Sequence, residues 1–268
     1  MSEQERVPDS IDAGTPNVAR MYDFYLGGKD NYEVDREMAR QVMRHVPDLP
    51  FIARENRAFL RRAVRACVDA GVRQFVDLGA GLPTQGNVHE IAQGAAPGSR
   101  VVYVDIDPVV LSHARALLMN VDGVTTIQGD VRRPDEILAH PELRDLIDFR
   151  EPVAVLMVAV LHFVQDDDDP YGVVARLRAE MAPGSHLVIS HITADKQTPT
   201  VRDAARIYDR ASAAVRQRSQ AEVTRFFEGM ELIEPGVTTL SLWRPDADLG
   251  PPADADRQWA LAGVGRMP

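Results

Sequence analysis

The sequence predicts an α/β fold in which a parallel sheet is wound with helices on both faces. Three observations predict it. Five short runs rich in β-branched residues, RQFVDLG, RVVYVDID, VTTIQGD, PVAVLMVAV and SHLVISHI, alternate with helix-like segments. Each run is apolar throughout, as burial on both faces requires. A chain of 268 residues, of which 45% are hydrophobic, is long enough to bury one large core.

Three helices are predicted before the first strand. Residues 17–26 (NVARMYDFYL) have a helical pattern that stops at Gly27 and Gly28. In the second pattern apolar residues recur every four positions, at Val34, Met38, Val42 and Val46. After a break at residues 47–50, residues 51–70 repeat the helical spacing and end at Gly71. We therefore expect a helical cap, residues 17–72, ahead of an α/β core, residues 73–268.

Composition argues against several classes of protein. The longest apolar stretch, residues 152–164, falls short of the roughly 20 residues that span a bilayer, so no membrane association is expected. Residues 1–16 are polar and acidic, which predicts a flexible lead-in rather than a secretory signal, and hence a cytoplasmic location. A formal net charge of −10 argues against nucleic acid as a partner. The single cysteine, Cys67, excludes an internal disulfide and is expected to be buried.

The stretch VDLGAGLPT, residues 76–84, is the first candidate binding motif. In parallel sheets ligands bind at the carboxyl ends of the strands, where the first turn has to let the backbone approach the ligand without a Cβ in the way. Gly79 and Gly81, separated by Ala80 and preceded by Asp77, meet that need. A tight strand-to-helix turn without any ligand explains the same residues, so this motif alone is a weak signal.

Two further strand ends carry acids. The run VVYVDID places Asp105, followed by Ile106, about 24 residues beyond the glycine turn, where a carboxylate can accept both hydroxyls of a ribose. Asp107 is the competing candidate, with an alternative role as the N-cap of the next helix. At the third strand end, Asp130 can accept the amino group of a purine while the amide of Val131 reaches a ring nitrogen. An Asp turn explains that pair equally well.

Together the three strand ends predict a site for adenosine with a polar tail. A dinucleotide favours a third small residue after the two glycines and an open helix N-terminus for its pyrophosphate. Here Thr84 takes that position after Pro83, and no basic residue lies within the turn. These features favour a cofactor without phosphates, S-adenosyl-L-methionine, with its ammonium group near Asp77. An NAD-dependent oxidoreductase is the less favoured alternative.

The same motifs resemble a known family. VDLGAGLPT, YVDIDP, QGDVRRP and LHFVQDDDDPYGVVARLRAEMAPGSHLVISHI are similar to the successive motifs of class I S-adenosylmethionine-dependent methyltransferases, from about residue 73 to the C-terminus. The N-terminal segments PNVARMYDFYLGGKDNYEVDR and ENRAFLRRAV more specifically resemble an actinobacterial family of S-adenosyl methyltransferases, formerly a domain of unknown function.

The resemblance implies a Rossmann-like, doubly wound sheet of seven mostly parallel strands with one antiparallel strand. MELIEPGVTTLSLW and QWALAGVGRMP would supply its last hairpin, joined by a Pro/Asp-rich connector, residues 244–257. It also implies three sets of contacts: Asp77, Gly79 and Gly81 with the methionine moiety, Asp105 with the ribose, and Asp130 and Val131 with the adenine. It does not imply which acceptor is methylated.

The expected chemistry requires a cover more than a reactive group. A sulfonium is already an activated methyl donor, so in-line approach of the acceptor with water excluded supplies much of the rate. Residues 17–32 are the candidate cover, because Tyr22, Tyr25 and Asn31 surround a Gly-Gly turn and are expected to face the ligand. The alternative is a packed helix with a glycine cap.

Proton transfer is needed only for an acceptor that must lose a proton. His162, after the fourth strand, is the candidate base, and Tyr22 on the cover is a second candidate catalytic residue. A core histidine satisfied by the backbone is the alternative for His162, and His191, after the fifth strand, is a weaker candidate. The contiguous acids of residues 165–170 predict a solvated loop and helix start, and no metal site is expected.

Two functions therefore remain open. The favoured one is methyl transfer to a small-molecule acceptor, because the sequence indicates no appended binding domain. The alternative is a non-catalytic regulatory protein that binds S-adenosylmethionine and acts through a partner.

Overall fold

The computed structural model describes residues 14–83, 86–119, 121–195, 199–245 and 254–268. Most of the N-terminal lead-in, Thr84 and most of the Pro/Asp-rich connector lie outside these residues. Within the described ranges, no helix combines the length and the apolar character that crossing a membrane would require.

Ten α-helices lie in the described ranges. They span Val18–Tyr25 (α1), Glu33–His45 (α2), Leu49–Asp69 (α3), Val88–Ala95 (α4), Pro108–Leu118 (α5), Pro134–Leu138 (α6), Pro141–Leu146 (α7), Pro170–Arg178 (α8), Pro199–Tyr208 (α9) and Gln220–Arg225 (α10). The Asn17 side chain caps α1 by accepting from two amides of its first turn. Helix α3 begins at Leu49, two residues before the predicted start, because Pro50 fits the first turn of a helix, where no N–H is needed.

The described strands form one sheet. They span Gln74–Leu78 (β1), Arg100–Asp105 (β2), Val124–Gln128 (β3), Ala154–Val158 (β4), His186–Ile192 (β5), Glu231–Leu232 (β6), Thr238–Thr239 (β7) and Ala260–Arg266 (β8). Their order is β3-β2-β1-β4-β5-β8-β6, with β7 also pairing with β8. The first five strands are parallel, and β8 runs antiparallel to its neighbours.

The short strands β6 and β7 pair with different parts of β8, so together they occupy one edge position. The sheet therefore has seven positions, and the predicted mostly parallel, doubly wound sheet with one antiparallel strand is confirmed. The strand order reverses between β1 and β4, and at such a point a crevice opens at the carboxyl ends of the strands.

Apolar layers cover both faces of the sheet. On one face Phe59 and Cys67 of α3 pack in a cluster with strand residues such as Phe75. On the other face Leu177 of α8 and Phe226 pack against further strand residues. Cys67 is fully buried, as the sequence predicts.

A third apolar cluster joins α1, α2 and α9 with the first turns of α3. Its members include Met21 and Tyr25 of α1, Val42 of α2, and Val201 and Ala204 of α9. Most of the apolar face of α3 belongs with the sheet, whereas α1 and α2 pack with a helix from the C-terminal half of the chain. The division of the chain at residue 73 stays a prediction.

Candidate functional site

A cavity of about 570 Å³ opens at the carboxyl ends of β1 to β5, where the strand order reverses. Loops after the strands form one side of it, and α1, α3 and α9 contribute the other. This volume is typical of small-molecule sites. The cavity brings together most of the residues predicted for the site: Tyr22, Tyr25, Asp77, Gly79, Ala80, Gly81, Asp105, Ile106, Asp130, Val131 and His162.

The turn after β1 depends on two glycines for different reasons. Gly79 and Gly81 have positive φ angles of 72° and 67°, which L side chains rarely adopt. A Cβ on Gly79 would lie 2.5 Å from a methyl carbon of Val160, whereas a Cβ on Gly81 would meet open space. The close approach expected at Gly79 is therefore made by Val160, and the glycine is required by packing as well as by its backbone angles.

The amides of this turn already have acceptors. The amides of Gly79 and Ala80 donate to the Val104 carbonyl oxygen at 2.8 and 3.2 Å. The Gly81 amide donates to Asp105 Oδ2 at 2.8 Å. A phosphate is held by free N–H groups, and this turn has none among these three residues.

The N-terminus of α4 is also closed to an anion. Glu90, in the first turn of α4, accepts a hydrogen bond from the Asn87 amide at 2.7 Å. This carboxylate occupies the end of the helix dipole that a pyrophosphate would need. Both features favour a cofactor without phosphates.

Asp105 and Asp107 have separate roles. Asp107 caps α5, because its side chain accepts from the Val109 amide at 2.8 Å, which is the alternative role expected from the sequence. Asp105 is buried, and its two oxygens accept from the amides of Gly81 and Asp107. Each carboxylate oxygen accepts more than one hydrogen bond, so Asp105 can still receive two hydroxyls. Burial raises the pKa of Asp105, and such donors would favour its ionised form.

Asp77 is a buried carboxyl group that lines the cavity. Burial raises its pKa to about 7, the nearby Arg57 guanidinium acts to lower it, and Asp105 raises it further. A ligand ammonium beside Asp77 would stabilise the carboxylate and lower this pKa. The group is therefore suited to a cationic ligand.

At the third strand end, Asp130 and Val131 line the cavity as predicted. Both oxygens of Asp130 accept from the Arg132 guanidinium, at distances of 2.6 to 3.0 Å. Partial burial opposes ionisation, but the bonds from Arg132 outweigh it and lower the pKa of Asp130. The carboxylate is ionised at neutral pH and can accept an amino group only beside this ion pair.

Helix α1 lines the cavity and contacts both α9 and the turns at the strand ends. The Tyr25 hydroxyl lies 2.9 Å from the Tyr208 hydroxyl of α9. Ala19 packs against a small apolar cluster, Leu82, Val109 and Val110, next to the turns after β1 and β2. A covering role for α1 stays a prediction.

Asn31 does not line the cavity in this structure. Its side-chain amide donates to Asp23 Oδ2 at 2.7 Å and to the Gly28 carbonyl at 3.1 Å. Asp23 also accepts from the Asp30 amide at 3.0 Å. Asn31 and Asp23 thus hold the loop after α1 in place, and a cofactor contact of Asn31 finds no support in this geometry.

A chain of buried and partly buried hydrogen bonds connects α1 to the sheet. Tyr22 donates to the Ala53 carbonyl at 3.1 Å and accepts from Asn56 Nδ2 at 2.9 Å. Asn56 Oδ1 accepts from the Ser190 hydroxyl at 2.6 Å, and Ser190 Oγ accepts from the Ala159 amide at 2.9 Å. Ala159 has a positive φ of 58°, which this bond helps to hold.

Two histidines lie after β4 and at the end of β5. Both His162 and His191 line the cavity, with ring centroids 5.6 Å apart, and His162 Nδ1 is buried without a partner. Because the Arg218 guanidinium can only donate, His191 Nε2 accepts from it at 3.1 Å, and Nδ1–H donates to the Ile192 carbonyl at 2.8 Å. Burial lowers the pKa of His191 to about 4. Burial, with His191 and Arg218 as further causes, holds the pKa of His162 well below its usual value.

Sequence reasoning missed several polar or aromatic residues that line the cavity, among them Asn56, Arg57, Phe163, Ser190 and Tyr208. Asn56 carried a signal, since it is a polar residue on the apolar face of the third helical pattern. Phe163, Ser190 and Tyr208 lie at or near the ends of helices or strands, and Arg57 lies within α3. The sequence near each of these residues does not decide whether its side chain faces the cavity.

The residues after β4 that carry four consecutive acids form no metal site in this structure. Asp166 pairs with Arg216 and Arg218, and Asp169 caps α8. In the described ranges, no group of three or more histidine, cysteine, aspartate or glutamate side chains is placed to hold a metal ion.

The sheet order, the acids at the ends of β1 and β2 and a turn without free amides define an S-adenosylmethionine-dependent methyltransferase of the class I fold. A family model described as S-adenosyl methyltransferase matches residues 4–268, and the chain belongs to this family. S-adenosylmethionine is the cofactor of that family.

Solved structures agree with this assignment. A protein from Thermobifida fusca described as a candidate methyltransferase is 42% identical, with a TM-score of 0.91, and the match covers 98% of this chain and 99% of that one. A DUF574 family protein from Streptomyces avermitilis is also 42% identical, with a TM-score of 0.91 and coverage of 96% and 99%. A Haloferax volcanii complex of a methyltransferase activator with a methyltransferase matches at 17% identity and a TM-score of 0.51, with 92% and 97% coverage, which shows the fold alone. A search of curated proteins found no match.

Proposed function

We propose that the protein transfers the methyl group of S-adenosylmethionine to a small-molecule acceptor held in the same cavity. The observation that carries the proposal is the placement of Asp77 and Asp105, two buried carboxyl groups, at the ends of adjacent strands and on one cavity. Asp77 would face the ammonium group of the methionine moiety, and Asp105 would accept the ribose hydroxyls. Asp130 and Val131 would meet the adenine.

The proposed reaction is an in-line displacement governed mainly by proximity. The bond from the sulfonium sulfur to the methyl carbon breaks as the bond from the acceptor to that carbon forms, and S-adenosylhomocysteine leaves. Helix α1 excludes water from this step by covering the cavity between α9 and the turns after β1 and β2. The cavity volume of about 570 Å³ has to hold cofactor and acceptor together, which favours a small acceptor.

His162 is the proposed base for an acceptor that loses a proton. Its imidazole is neutral at pH 7, since its pKa is held low, and a neutral imidazole can accept a proton. Tyr22 is less suited to proton transfer, because its own proton is directed at the Ala53 carbonyl and burial raises its pKa. Its hydrogen bonds favour a role in positioning α1.

Calorimetry on the Asp105→Ala variant tests the proposal. Loss of the hydrogen bonds from Asp105 to the ribose is expected to weaken binding of S-adenosylmethionine by about 1.5–3 kcal/mol. Asp122→Ala is the matched control, because Asp122 is exposed and lies outside the cavity lining. Unchanged affinity of a folded Asp105→Ala variant would remove Asp105 from the site, and a wild-type protein that binds neither cofactor nor S-adenosylhomocysteine would overturn the proposed function.

A further inference from the structure

Charge is unevenly distributed over the cavity. Among its described lining residues the charged ones come from α1, α3 and the ends of β1, β2 and β3: Arg20, Arg57, Asp77, Asp105, Asp107, Asp130 and Arg132. The described lining residues from β4 onward in the chain, between positions 158 and 260, include no aspartate, glutamate, lysine or arginine, and their titratable side chains are two histidines and Tyr208. The half of the cavity lined by these charged residues is thus suited to a charged ligand, and the half lined by the residues from β4 onward, with Tyr25 of α1 beside them, is not.

Five aromatic rings form a continuous wall on the uncharged half. His191 contacts His162 at 5.6 Å between ring centroids, His162 contacts Phe163 at 4.4 Å, and Phe163 contacts Tyr208 at 6.2 Å. The Tyr208 hydroxyl then meets that of Tyr25 at 2.9 Å. All five residues line the cavity, and we call this set the aromatic wall.

The aromatic wall is electrically neutral near pH 7. The low pKa values of His162 and His191 keep both imidazoles uncharged, and burial raises the pKa values of Tyr25 and Tyr208. Arg218 is the charged residue that donates to the wall, at His191, and it lies outside the described cavity lining. Arg218 is compensated by Asp166 at 2.8 Å and by the carbonyls of Leu161 and Val164. An anion entering this half would be desolvated without a cationic side chain on the described lining, and a cation would find only the faces of the rings, which compensate its desolvation in part.

We propose that the methyl acceptor is an uncharged aromatic ring compound bound against the aromatic wall, with Phe163 and Tyr208 as specificity-determining residues. The inference rests on the proposed function and names the substrate class of the same cavity. Rings favour edge-to-face and offset-stacked neighbours at centroid distances of 4.5–7 Å, and the wall offers such neighbours at several angles. A saturated ring of equal size would lack the favourable interaction between aromatic rings. An ionised ring compound would bind more weakly because its charge has to be desolvated.

Matched probes test the charge and ring requirements. The wild-type protein is saturated with S-adenosylhomocysteine, and binding is measured by ligand-observed NMR at pH 7 for four compounds of similar size: 2-naphthol, 2-naphthoate, 2-naphthylmethylammonium and 2-decalol. We expect 2-naphthol to bind about tenfold or more tightly than either charged probe, and about threefold to tenfold more tightly than 2-decalol. A charged probe that binds as tightly as 2-naphthol, or no saturable binding of 2-naphthol, would overturn the inference.

Variants locate the binding. Phe163→Leu removes one ring of the wall while keeping an apolar side chain, and should weaken 2-naphthol by about threefold to tenfold with little effect on 2-decalol. Phe24→Leu is the matched control, because Phe24 lies on α1 outside the cavity lining, with its ring under Arg40. Equal loss in both variants would contradict the assignment to the wall, and the wild-type comparison stands even if Phe163→Leu does not fold.

Calorimetry with S-adenosylhomocysteine separates the two proposals. If the protein binds S-adenosylhomocysteine but does not prefer 2-naphthol among the probes, only the proposed acceptor class is contradicted. A protein that does not bind S-adenosylhomocysteine contradicts the proposed function, and with it the inference that rests on it.

Discussion

The two halves of the cavity are built in opposite ways. The half proposed for the cofactor is made of carboxylates and turns at the ends of β1, β2 and β3, which are close in sequence to the strands that hold them. The aromatic wall is assembled from α1, α9, β5 and the segment after β4, with partners as far apart as Tyr25 and Tyr208. The comparison predicts that cofactor recognition depends on local backbone geometry, and that acceptor recognition depends on side chains that can change without altering the strand ends. Substitutions test this division, and their expected effects on S-adenosylmethionine binding range from complete loss to almost none.

The largest effect is expected from Gly79→Val. The new side chain would adopt an unfavourable positive φ and collide with Val160, so the free energy of unfolding should fall by about 3 kcal/mol or more and cofactor binding should be lost. Denaturant unfolding and calorimetry measure the two effects. Gly81→Ala is the comparison, because Gly81 also has a positive φ but a Cβ there would meet open space. It should lower the free energy of unfolding by only about 1 kcal/mol. Equal losses at the two positions would contradict the role given to Val160.

The second effect is a pH dependence caused by Asp77. With a pKa of about 7 in the unoccupied protein, the carboxylate that attracts the ligand ammonium becomes populated as pH rises. Affinity for S-adenosylmethionine should therefore increase by about tenfold between pH 6 and pH 8 and then level off. Asp77→Asn should bind weakly with no such pH dependence, and calorimetry in buffers of different ionisation enthalpy should detect proton release in the wild type only.

The same group has a predictable effect on stability. Because the folded-state pKa of Asp77 is raised, the native state binds more protons than the unfolded state between about pH 4 and pH 7, and the free energy of unfolding falls as pH rises through that window. Asp77→Asn should thus stabilise the unoccupied protein at pH 8, by on the order of 2 kcal/mol. A destabilised variant would indicate that Asp77 makes a stabilising contact in its ionised form.

A smaller effect is expected on the cover. If opening of residues 17–32 requires release of the ligand, amides of residues 21–31 should exchange up to about 100-fold more slowly at a ligand concentration 100 times the Kd. Amides of the exposed helix α7, which lies away from the cavity, serve as the control. Equal protection of residues 21–31 with and without S-adenosylmethionine would show that this segment is structural packing.

His162→Gln should have the smallest effect on the cofactor. Its S-adenosylmethionine affinity should stay within about twofold of wild type, while single-turnover methyl transfer to a hydroxylated acceptor falls by about 100-fold through loss of the base. His186→Gln is the matched control, because His186 is also buried on β5 but lies outside the cavity lining. If S-adenosylmethionine affinity and the rate of methyl transfer fell by the same factor, His162 would be needed for cofactor binding and not for proton transfer.

The positions of residues at the strand ends are easier to predict from the sequence than those of the aromatic wall, for a physical reason. Strands that are buried on both faces, glycines at a turn and acids at strand ends are local signals, so Gly79, Asp105 and Asp130 were found with their correct positions in the sheet. The competing role of Asp107 was also readable, since capping involves only neighbouring residues.

The direction of the side chains in residues 17–32 cannot be predicted from the sequence. Asn31 was expected at the cofactor, but Asp23 offers it a buried acceptor eight residues earlier, and nothing local decides between the two. Tyr208 lies 183 residues from Tyr25, so their contact depends on how α9 packs on α1. Asn56 was accessible to sequence reasoning as a polar residue between the buried Ile52 and Phe59, and its burial is explained by its bonds to Tyr22 and Ser190.

The closed amides after β1 bear on competition inside a cell. ATP and NAD share the adenosine portion of S-adenosylmethionine, so contacts with ribose and adenine alone would not tell these molecules apart. A phosphate chain brought to this turn would meet Asp77, Asp105 and the capped start of α4, with no donor from Gly79, Ala80 or Gly81 to compensate it. We therefore expect the turn after β1 to disfavour phosphorylated adenosyl ligands, although Arg57 also lines the cavity, and such selectivity needs no additional attractive contact to the correct ligand.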